Sequence, residues 1–255
     1  MKLFLCTNDK TAETSLIKML EVSVKSALDN TDFEVFVIFD GDKKKLNLPK
    51  EVNIIEHRHR CYDVFKSSKR CENKEHCLSI AATAFLRTEI PFLINQMGFT
   101  DEFCLYTDYD VVFQKNDFSE LKTLQPKIFA ATPESNMNDW SYFNTGVMLM
   151  NVNFLFENDD FISNHIRENF ERLEVWDQTM YNNLFKNQIS RLPIEYNWKP
   201  YWGINEKSKI IHFHGIKPFS IQPFEYMNQI ETLRFLYNGK SKIYEHYNQL
   251  FENYL

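Results

Sequence analysis

The sequence has 255 residues and a formal net charge of −6 at pH 7, which argues against non-specific binding of nucleic acid through the whole surface. Hydrophobic residues at 44% and aromatic residues at 15% can fill a sizeable core, so disorder is not the default and one large α/β domain or two small ones are expected. Five cysteines, a short N-terminal apolar run and the lack of any window near the roughly 20 apolar residues of a membrane span predict a cytoplasmic protein without a signal peptide or transmembrane segment.

The first part of the chain is predicted to alternate between strand, helix and strand, the order that is typical of a parallel sheet. Strands are predicted at residues 2–6, 33–39 and 52–55, and an amphipathic helix follows the first of them, with Thr14 or Ser15 as its N-cap. Right-handed crossovers bring the carboxyl ends of such strands to one edge, where ligands bind. The polar side chains expected at that edge are Asn8, Asp9 and Asp40.

Residues 57–77 are polar and basic and contain residue types that bind zinc. The spacing is irregular and no Cys-x-x-Cys pair occurs, so a solvated loop with its basic side chains near an anionic ligand is favoured over a zinc site. The zinc ligands considered are His57, His59, Cys61, Cys71, His76 and Cys77.

The rest of the chain has no repeats and no linker rich in Gly, Ser or Pro. A helix is predicted at 78–96, ended by Pro91 or shortly after it, and a helical tail is predicted with a break at Asn238-Gly239. One domain over residues 1–222, with residues 223–255 packed on it as a helical extension, is the simplest organisation. Strands or extended segments are also predicted at 103–106, 127–131, 142–150, 191–198 and 209–214, helices at 154–170 and 177–185, and a loop at 132–141.

Two aspartates, Asp108 and Asp110, follow the apolar run at 103–106 and precede another at 111–113. If the strand bends between them, both carboxylates can face one hard cation, which would offset the repulsion between two like charges. A solvated turn is the alternative, because aspartate is common where strands end. The spacing alone supports the two interpretations equally.

The common nucleotide-binding loops, Gly-x-x-x-x-Gly-Lys and Gly-x-Gly-x-x-Gly, are absent, as is the Gly-x-Ser-x-Gly elbow of serine hydrolases. In one remaining chemistry, Asp108 and Asp110 hold a divalent metal on the diphosphate of a nucleotide sugar. His212 on a late strand is then a third ligand, and Lys217 contacts the phosphates. Two carboxylates and an imidazole suit Mn²⁺, with Mg²⁺ as the alternative. Taken alone, His212 is better interpreted as a packed histidine.

In the other chemistry, Asp108 is the nucleophile of a phosphatase that resembles the haloacid dehalogenases, whose Asp-x-Asp-x-Val string is matched at 108–112. That resemblance is local, because a complete β–α–β unit precedes the aspartates here, whereas the family's aspartates usually end the first strand. A third hypothesis is a catalytically silent protein that binds sugar nucleotides. It is disfavoured because no expected metal ligand is missing.

Five short segments stand in a fixed order along the chain: Leu-Arg-Thr-Glu-Ile-Pro at 86–91, Leu-Tyr-Thr-Asp-Tyr-Asp-Val-Val at 105–112, Phe-Asn-Thr-Gly-Val-Met-Leu-Met-Asn at 143–151, Trp-Asp-Gln-Thr-Met-Tyr-Asn at 176–182 and Ile-His-Phe-His-Gly-Ile-Lys-Pro at 211–218. Together they resemble the retaining glycosyltransferases of family eight, the glycogenin and lipopolysaccharide galactosyltransferase group. The resemblance runs from residues 6–9 to residue 218. It implies the GT-A fold, a Rossmann-like α/β architecture whose mixed, mostly parallel sheet is flanked by helices.

The resemblance also implies a reaction, the transfer of a hexose from a UDP-sugar to a hydroxyl of a glycan or glycolipid acceptor with retention of configuration. It assigns the metal to Asp108, Asp110 and His212, and catalysis to Gln178 beside the anomeric carbon with Asp177. Because Gln178 is a poor nucleophile, a front-face mechanism is favoured, with its carbonyl oxygen near the developing positive charge. The further donor-binding residues that it implies are Asn8 and Asp9 near the uracil or ribose, Arg87, Tyr109, Asn144 and Gly146, and Gly215 and Lys217 at the diphosphate.

Three departures from the family pattern stand near the C-terminus. One residue separates Gly215 from Lys217 where two are common, and Phe219 stands where tryptophan is usual. The tail is not strongly basic, which leaves peripheral contact with a membrane open. Neither the donor sugar nor the acceptor follows from these residues.

Overall fold

A computed structural model describes residues 1–114, 117–218, 220–221 and 231–255, without the side chains of residues 232 and 233. The strands, numbered β1 to β9, are Lys2–Asn8, Glu34–Asp40, Asn53–Glu56, Phe103–Thr107, Val111–Phe113, Phe129–Pro133, Phe143–Asn151, Ser190–Arg191 and Ile210–His212. The helices, numbered α1 to α10, are Asp9–Ala12, Ile17–Asn30, Tyr62–Ser67, Glu75–Leu86, Ile90–Gln96, Val152–Glu157, Asp159–Asn169, Trp176–Phe185, Glu231–Tyr237 and Ser241–Glu252.

The main sheet has the strand order β3-β2-β1-β4-β7-β6-β8. The pairs β1–β2, β2–β3, β1–β4 and β6–β8 are parallel, while β7 runs antiparallel to both of its neighbours. The sheet is therefore mixed and mostly parallel, which confirms the predicted fold class. β5 and β9 form a separate antiparallel pair beside it.

Helices cover both faces of the sheet, which explains why its central strands are continuous apolar runs. Phe4 and Phe36 face one side, where their rings stack with centroids 5.0 Å apart and where α4 and α8 pack. Leu3 and Val37 point to the opposite side and pack against Leu20 of α2. This alternation follows from the two-residue period of a strand.

The long helix α2 begins later than predicted, and the proposed N-cap is wrong. Neither Thr14 nor Ser15 caps it; Leu16 precedes its first residue without a capping hydrogen bond from its side chain. The short helix α1 comes first and is capped by Asn8. The Thr14 hydroxyl instead accepts a hydrogen bond from the Leu16 N–H at 3.3 Å, within the turn between the two helices.

Two predictions are wrong at segments that contain a proline. Pro91 lies in the first turn of α5, where a missing N–H costs no hydrogen bond, so it opens a helix that follows the 3₁₀ turn Arg87–Glu89. Residues 191–198 are not extended, because Pro193 starts a 3₁₀ turn at Ile194–Asn197. The short helix α3 was also not predicted; it lies within the loop at 57–77.

The expectation that no window approaches the composition of a membrane span is wrong for the helical stretch Glu75–Gln96, which is apolar and long enough by composition alone. However, 61% of its most apolar window is buried inside the protein. Arg87 and Glu89, at its middle, are buried against other side chains. This is the packing of a core helix.

The described part of the tail is helical and is interrupted at Gly239, where φ is 70°, as predicted. Tyr247 and Phe251 are buried in a cluster with Met19 and Phe213, so the last helix packs on the sheet domain. Phe219 and the domain boundary predicted at 222–223 lie outside the described residues.

Candidate functional site

The two aspartates lie where the chain leaves the main sheet and enters the small one. The β4–β7 ladder ends with Asp108, whose N–H donates to the Gly146 carbonyl at 2.7 Å. Three residues later, Val111 pairs with His212 in the β5–β9 sheet. Ligand atoms of Asp108, Asp110 and His212 thereby lie within 4.8 Å of one another, the one such group found among the described residues.

Asp110 and His212 are buried, whereas Asp108 is partly exposed. His212 Nε2 lies 3.3 Å from Asp110 Oδ1 and 3.7 Å from Asp108 Oδ2. Burial lowers the pKa of His212. Burial alone would raise the pKa of Asp110, but the adjacent Lys217 ammonium holds it well below its usual range. Asp110 therefore remains a carboxylate that is suited to bind a cation.

Two further observations fit a divalent metal at this place. Asp110 Oδ1 is buried and accepts no hydrogen bond from the described residues. A Cβ added at Gly146 would lie 2.2 Å from His212 Cε1 and 2.8 Å from Asp108 Oδ2, so only glycine leaves the space between them open. Oxygen and imidazole donors of this kind are able to bind a divalent metal ion.

Arg87 connects Asp108 to the start of α8. Its Nη2 donates to Asp108 Oδ1 at 2.9 Å, and its Nε lies 3.1 Å from Asp177 Oδ2. The Tyr106 hydroxyl donates to the same Asp108 oxygen at 2.6 Å. These donors hold Oδ1, so the other oxygen of Asp108 faces His212.

Asp177 and Gln178 follow Trp176, whose backbone has a left-handed φ of 47°. Burial raises the pKa of Asp177 to about 6, despite the nearby Arg87. The Gln178 carbonyl oxygen accepts hydrogen bonds from Asn144 Nδ2 and the Thr145 N–H, both at 3.1 Å. The oxygen that we expected near developing positive charge is thus held by two donors.

Lys217 and Gly215 lie in the turn that follows β9. The Lys217 ammonium donates to the Asp110 carboxylate and, at 2.9 Å, to the Phe213 carbonyl. Gly215 has a φ of 82°, a left-handed conformation that favours glycine and brings the chain back toward the aspartates. Despite the shortened spacing between these two residues, Lys217 therefore contacts Asp110.

A cavity of about 300 Å³ opens beside these groups and is lined by Arg87, Asp108, Tyr109, Asp110 and Lys217 among others. Asn8 and Asp9 line a neighbouring cavity of about 110 Å³, and Lys10 and Ser79 border both. The Asn8 amide donates to the Ser79 hydroxyl at 2.9 Å. Seven predicted site residues thus line two adjoining cavities: Asn8, Asp9, Arg87, Asp108, Tyr109, Asp110 and Lys217. The other predicted site residues line neither of these two cavities: Asn144, Gly146, Asp177, Gln178, His212 and Gly215.

Three residues at the site were not predicted from the sequence. Glu134 accepts from Asn144 Nδ2 at 2.7 Å, Tyr106 holds Asp108, and Asn197 contacts His212. The only sequence signal for Tyr106 was its place two residues before Asp108. Glu134 and Asn197 lie in segments with no recognisable motif.

Two of the three histidines considered as zinc ligands, His57 and His59, contact a buried carboxylate. His57 Nε2 and Arg60 Nε lie 2.8 and 2.7 Å from Glu89, which is fully buried, and His59 Nε2 lies 3.3 Å from it. Arg60 also forms a bidentate ion pair with Asp159. These contacts dock the loop on the core, so it is less solvated than we expected.

Comparison with known proteins connects this geometry to a family. The model of glycosyl transferase family 8 matches residues 11–220. No curated protein sequence matches the chain. The match includes the two aspartates, the Asn144–Gly146 segment, the start of α8 and the turn after β9.

Solved structures agree in fold. An active-site mutant of LgtC superposes with a TM-score of 0.64 at 16% identity, covering 94% of this chain and 96% of that one. The galactosyltransferase LgtC in complex with donor and acceptor sugar analogues gives 0.63 at 17% identity and the same coverage. GlyE from Streptococcus pneumoniae TIGR4 gives 0.63 at 16% identity, over 98% of this chain and 64% of that one.

At these identities the structural likeness establishes the fold alone, whereas the family match extends over most of the chain. The metal-ligand cluster lies inside the matched region. The protein therefore belongs to glycosyl transferase family 8 and is a glycosyltransferase with a GT-A-like fold.

Proposed function

We propose that this protein is a metal-dependent, retaining glycosyltransferase that moves a hexose from a UDP-sugar to a hydroxyl of a glycan or glycolipid. The observation that carries the proposal is the convergence of Asp108, Asp110 and His212 beside a cavity that Arg87 and Lys217 also line. A cation and two basic side chains suit the diphosphate of a nucleotide sugar. LgtC, which shares the fold, binds donor and acceptor sugar analogues.

The residues fit Mn²⁺, with Mg²⁺ as the alternative, held by Asp108, Asp110 and His212. When bound, the cation supplies a Lewis acid that stabilises the negative charge of the departing diphosphate. Lys217 already lies against Asp110 and would bind the same diphosphate as a point charge. Gly215 gives the turn its shape and lets the diphosphate approach the backbone.

We assign the nucleoside of the donor to the smaller cavity and its hexose to the side on which Asn144 and Asp177 lie. Asn8 and Asp9, in the smaller cavity, lie on the nucleoside side, and Tyr109 borders the larger one. On the sugar side, Asn144 and Asp177 contact the hexose hydroxyls. Arg87 fixes Asp177 relative to the metal ligands, because it contacts both Asp177 and Asp108.

We assign retention to a front-face reaction. The bond from the anomeric carbon to the diphosphate breaks, the acceptor hydroxyl bonds to the same face, and its proton passes to the leaving diphosphate. The side chains beside the sugar support this route, since Asp177 is paired with Arg87 and Gln178 is an amide. The product formed at early times should keep the donor's anomeric configuration by proton NMR; an inverted product or a trapped glycosyl-enzyme adduct would contradict the mechanism.

The direct test is the release of UDP from UDP-glucose and UDP-galactose with Mn²⁺, with and without EDTA. We expect turnover with Mn²⁺ and its loss with EDTA. Asp110→Asn should reduce the metal-dependent rate by on the order of 100-fold or more, because it removes a charged ligand. Asp29→Asn, at an exposed carboxylate on α2, is the matched control and should keep the rate.

The phosphatase hypothesis finds little support in the site. The Asp108 oxygen Oδ1 is held by Arg87 and Tyr106, which lowers its nucleophilicity. The family match also places the same aspartates in a glycosyltransferase. If no UDP-sugar binds or turns over while a phosphate ester such as p-nitrophenyl phosphate is hydrolysed, the proposed function is wrong.

A further inference from the structure

Asn197 is a buried carboxamide that contacts the metal-site histidine from behind. Its Oδ1 lies 2.8 Å from His212 Nδ1, and its Nδ2 lies 2.9 Å from Asn144 Oδ1. Asn197 ends the 3₁₀ turn at Ile194–Asn197 and is 0% exposed. It therefore connects a metal ligand to a residue on the sugar side of the site.

The backbone N–H of Gly146 determines the direction of each hydrogen bond in the series Asn144, Asn197 and His212. The Gly146 N–H can only donate, so the Asn144 atom 3.0 Å from it is the carbonyl oxygen. Asn197 must then present its NH₂ group to that oxygen, which turns its own carbonyl oxygen toward His212. Because a carbonyl oxygen only accepts, the proton of the neutral His212 ring is on Nδ1.

The orientation of Asn144 is required independently from its other side. Its Nδ2 lies 2.7 Å from a Glu134 carboxylate oxygen, which can only accept. The same Nδ2 lies 3.1 Å from the Gln178 oxygen, and a backbone donor, the Thr145 N–H, identifies that atom as an oxygen. The arrangement is therefore consistent from Gly146 to His212.

We infer that Asn197 is a positioning residue that sets the tautomer of His212. With the proton on Nδ1, the Nε2 lone pair points to the carboxylate oxygens of Asp110 and Asp108, at 3.3 and 3.7 Å, which is where a cation would bind. Without Asn197, the proton can move to Nε2 and form a hydrogen bond with Asp110 Oδ1, which would block the site. The inference rests on the metal site of the proposed function.

Two substitutions at this position separate tautomer control from structural support. Asn197→Ala removes both contacts, and we expect Mn²⁺ to bind about 10- to 100-fold more weakly, as for the loss of other outer-shell partners of metal ligands. Asn197→Asp keeps an acceptor for the His212 N–H but loses the donor to Asn144. It should restore Mn²⁺ affinity relative to the alanine variant.

The matched control is Asn151→Ala. Asn151 also donates one hydrogen bond, to the Pro126 carbonyl at 3.1 Å, and accepts one, from the Phe154 N–H at 3.0 Å, but it lies at the start of α6. Its alanine variant should lose stability and keep Mn²⁺ affinity. Equal Mn²⁺ affinity in the Asn197→Ala and Asn151→Ala variants would overturn the inference.

The second measurement is long-range ¹H–¹⁵N NMR of the metal-free protein with labelled histidine, with the His212 signals assigned from a His212→Ala variant. The wild type and Asn197→Asp should show the Nδ1–H form, and Asn197→Ala should show a shift toward Nε2–H. A wild-type His212 in the Nε2–H form would overturn the inference. The Nε2–H form in Asn197→Asp would also overturn it, and this variant provides the test if the alanine variant does not fold. Neither readout requires a UDP-sugar, so the failure of the proposed donor is distinguishable from the failure of this inference.

Discussion

A side chain at Gly146 would collide with two of the proposed metal ligands, His212 and Asp108. The Gly146 carbonyl continues the β4–β7 ladder to Asp108, and its N–H orients Asn144. The missing side chain faces His212 and Asp108, with 2.2 Å between a built Cβ and His212 Cε1. The backbone and the absent Cβ therefore both shape the site.

Gly146→Ala should weaken Mn²⁺ binding while leaving the protein folded, because the methyl group would displace His212 or Asp108. We expect a loss of affinity of on the order of 100-fold, measured by Mn²⁺ titration with electron paramagnetic resonance. Gly98→Ala is the control, and it should reduce stability without affecting Mn²⁺ affinity. Gly98 has a φ of 72°, and nothing lies within 4 Å of a built Cβ, so the alanine variant should lose about 1 kcal/mol of stability through backbone strain alone. Unchanged Mn²⁺ binding in Gly146→Ala would mean that the cation binds elsewhere.

At the scale of elements, the 3₁₀ turn between α4 and α5 connects the pocket to the loop at 57–77. Arg87 at its start enters the site, and Glu89 at its end receives His57 and Arg60. Burial alone would raise the pKa of Glu89, but the neighbouring histidines and Arg60 lower it to about 2. This turn therefore places the positive charge of Arg87 at the cavity and the negative charge of Glu89 against the loop.

The ion pairs of Glu89 should make stability depend on pH. A carboxylate whose pKa is depressed in the folded state stabilises the fold above its unfolded pKa, about 4.5, and the contribution is lost as the pH falls toward about 2. For Glu89 this amounts to on the order of 3 kcal/mol. Glu89→Gln should therefore unfold at lower urea than the wild type at pH 7, with a smaller difference near pH 3.

The exposed Glu72 supplies the control for this measurement, since Glu72→Gln should match the wild type at both pH values. A difference between Glu89→Gln and the wild type that stays constant from pH 7 to pH 3 would assign the effect to packing. In that case the carboxylate charge would not contribute to holding the loop.

At the scale of the whole molecule, the C-terminal helix Ser241–Glu252 completes the core beside the small sheet. Phe251 is fully buried and its ring centroid lies 5.8 Å from that of Phe213, the residue after His212. The Tyr247 hydroxyl donates to the Gly203 carbonyl at 3.1 Å. We propose that the tail folds with the sheet domain as one unit, as the sequence suggested.

Phe251→Ala should cost about 3–5 kcal/mol, because it leaves a cavity in a fully buried cluster, and should lower Tm by about 6–20 °C in a single transition. Phe235→Ala is the matched control, since Phe235 is 78% exposed and its loss should leave Tm nearly unchanged. Two separate transitions in calorimetry of Phe251→Ala would mean that the tail unfolds by itself.

The cytoplasmic location stays a prediction.

Much of the fold could be predicted because the signals were local. The apolar runs of β1, β2 and β4 and the break at Gly239 each follow from side chains within a few residues, and the predicted strands differ from the observed ones by a residue or two at their ends. The failures were at the N-cap of α2, at Pro91 and at 191–198. At these places a preceding turn, or the position of a proline within a turn, outweighed the local preference of the residues for capping a helix, ending a helix or being extended.

The order of the motifs and the two aspartates at the end of a buried strand are local features of the chain, and they are sufficient to indicate the family. The contact between His212 and Asp110 is a tertiary feature, because it depends on the β5–β9 register across about a hundred residues of chain. The same holds for Asn197 and Glu134, which lack any motif and reach the site through buried hydrogen bonds to Asn144. Local chemistry can predict which residues are able to bind a metal, whereas strand pairing and packing determine which of them share one site and how their donors are oriented.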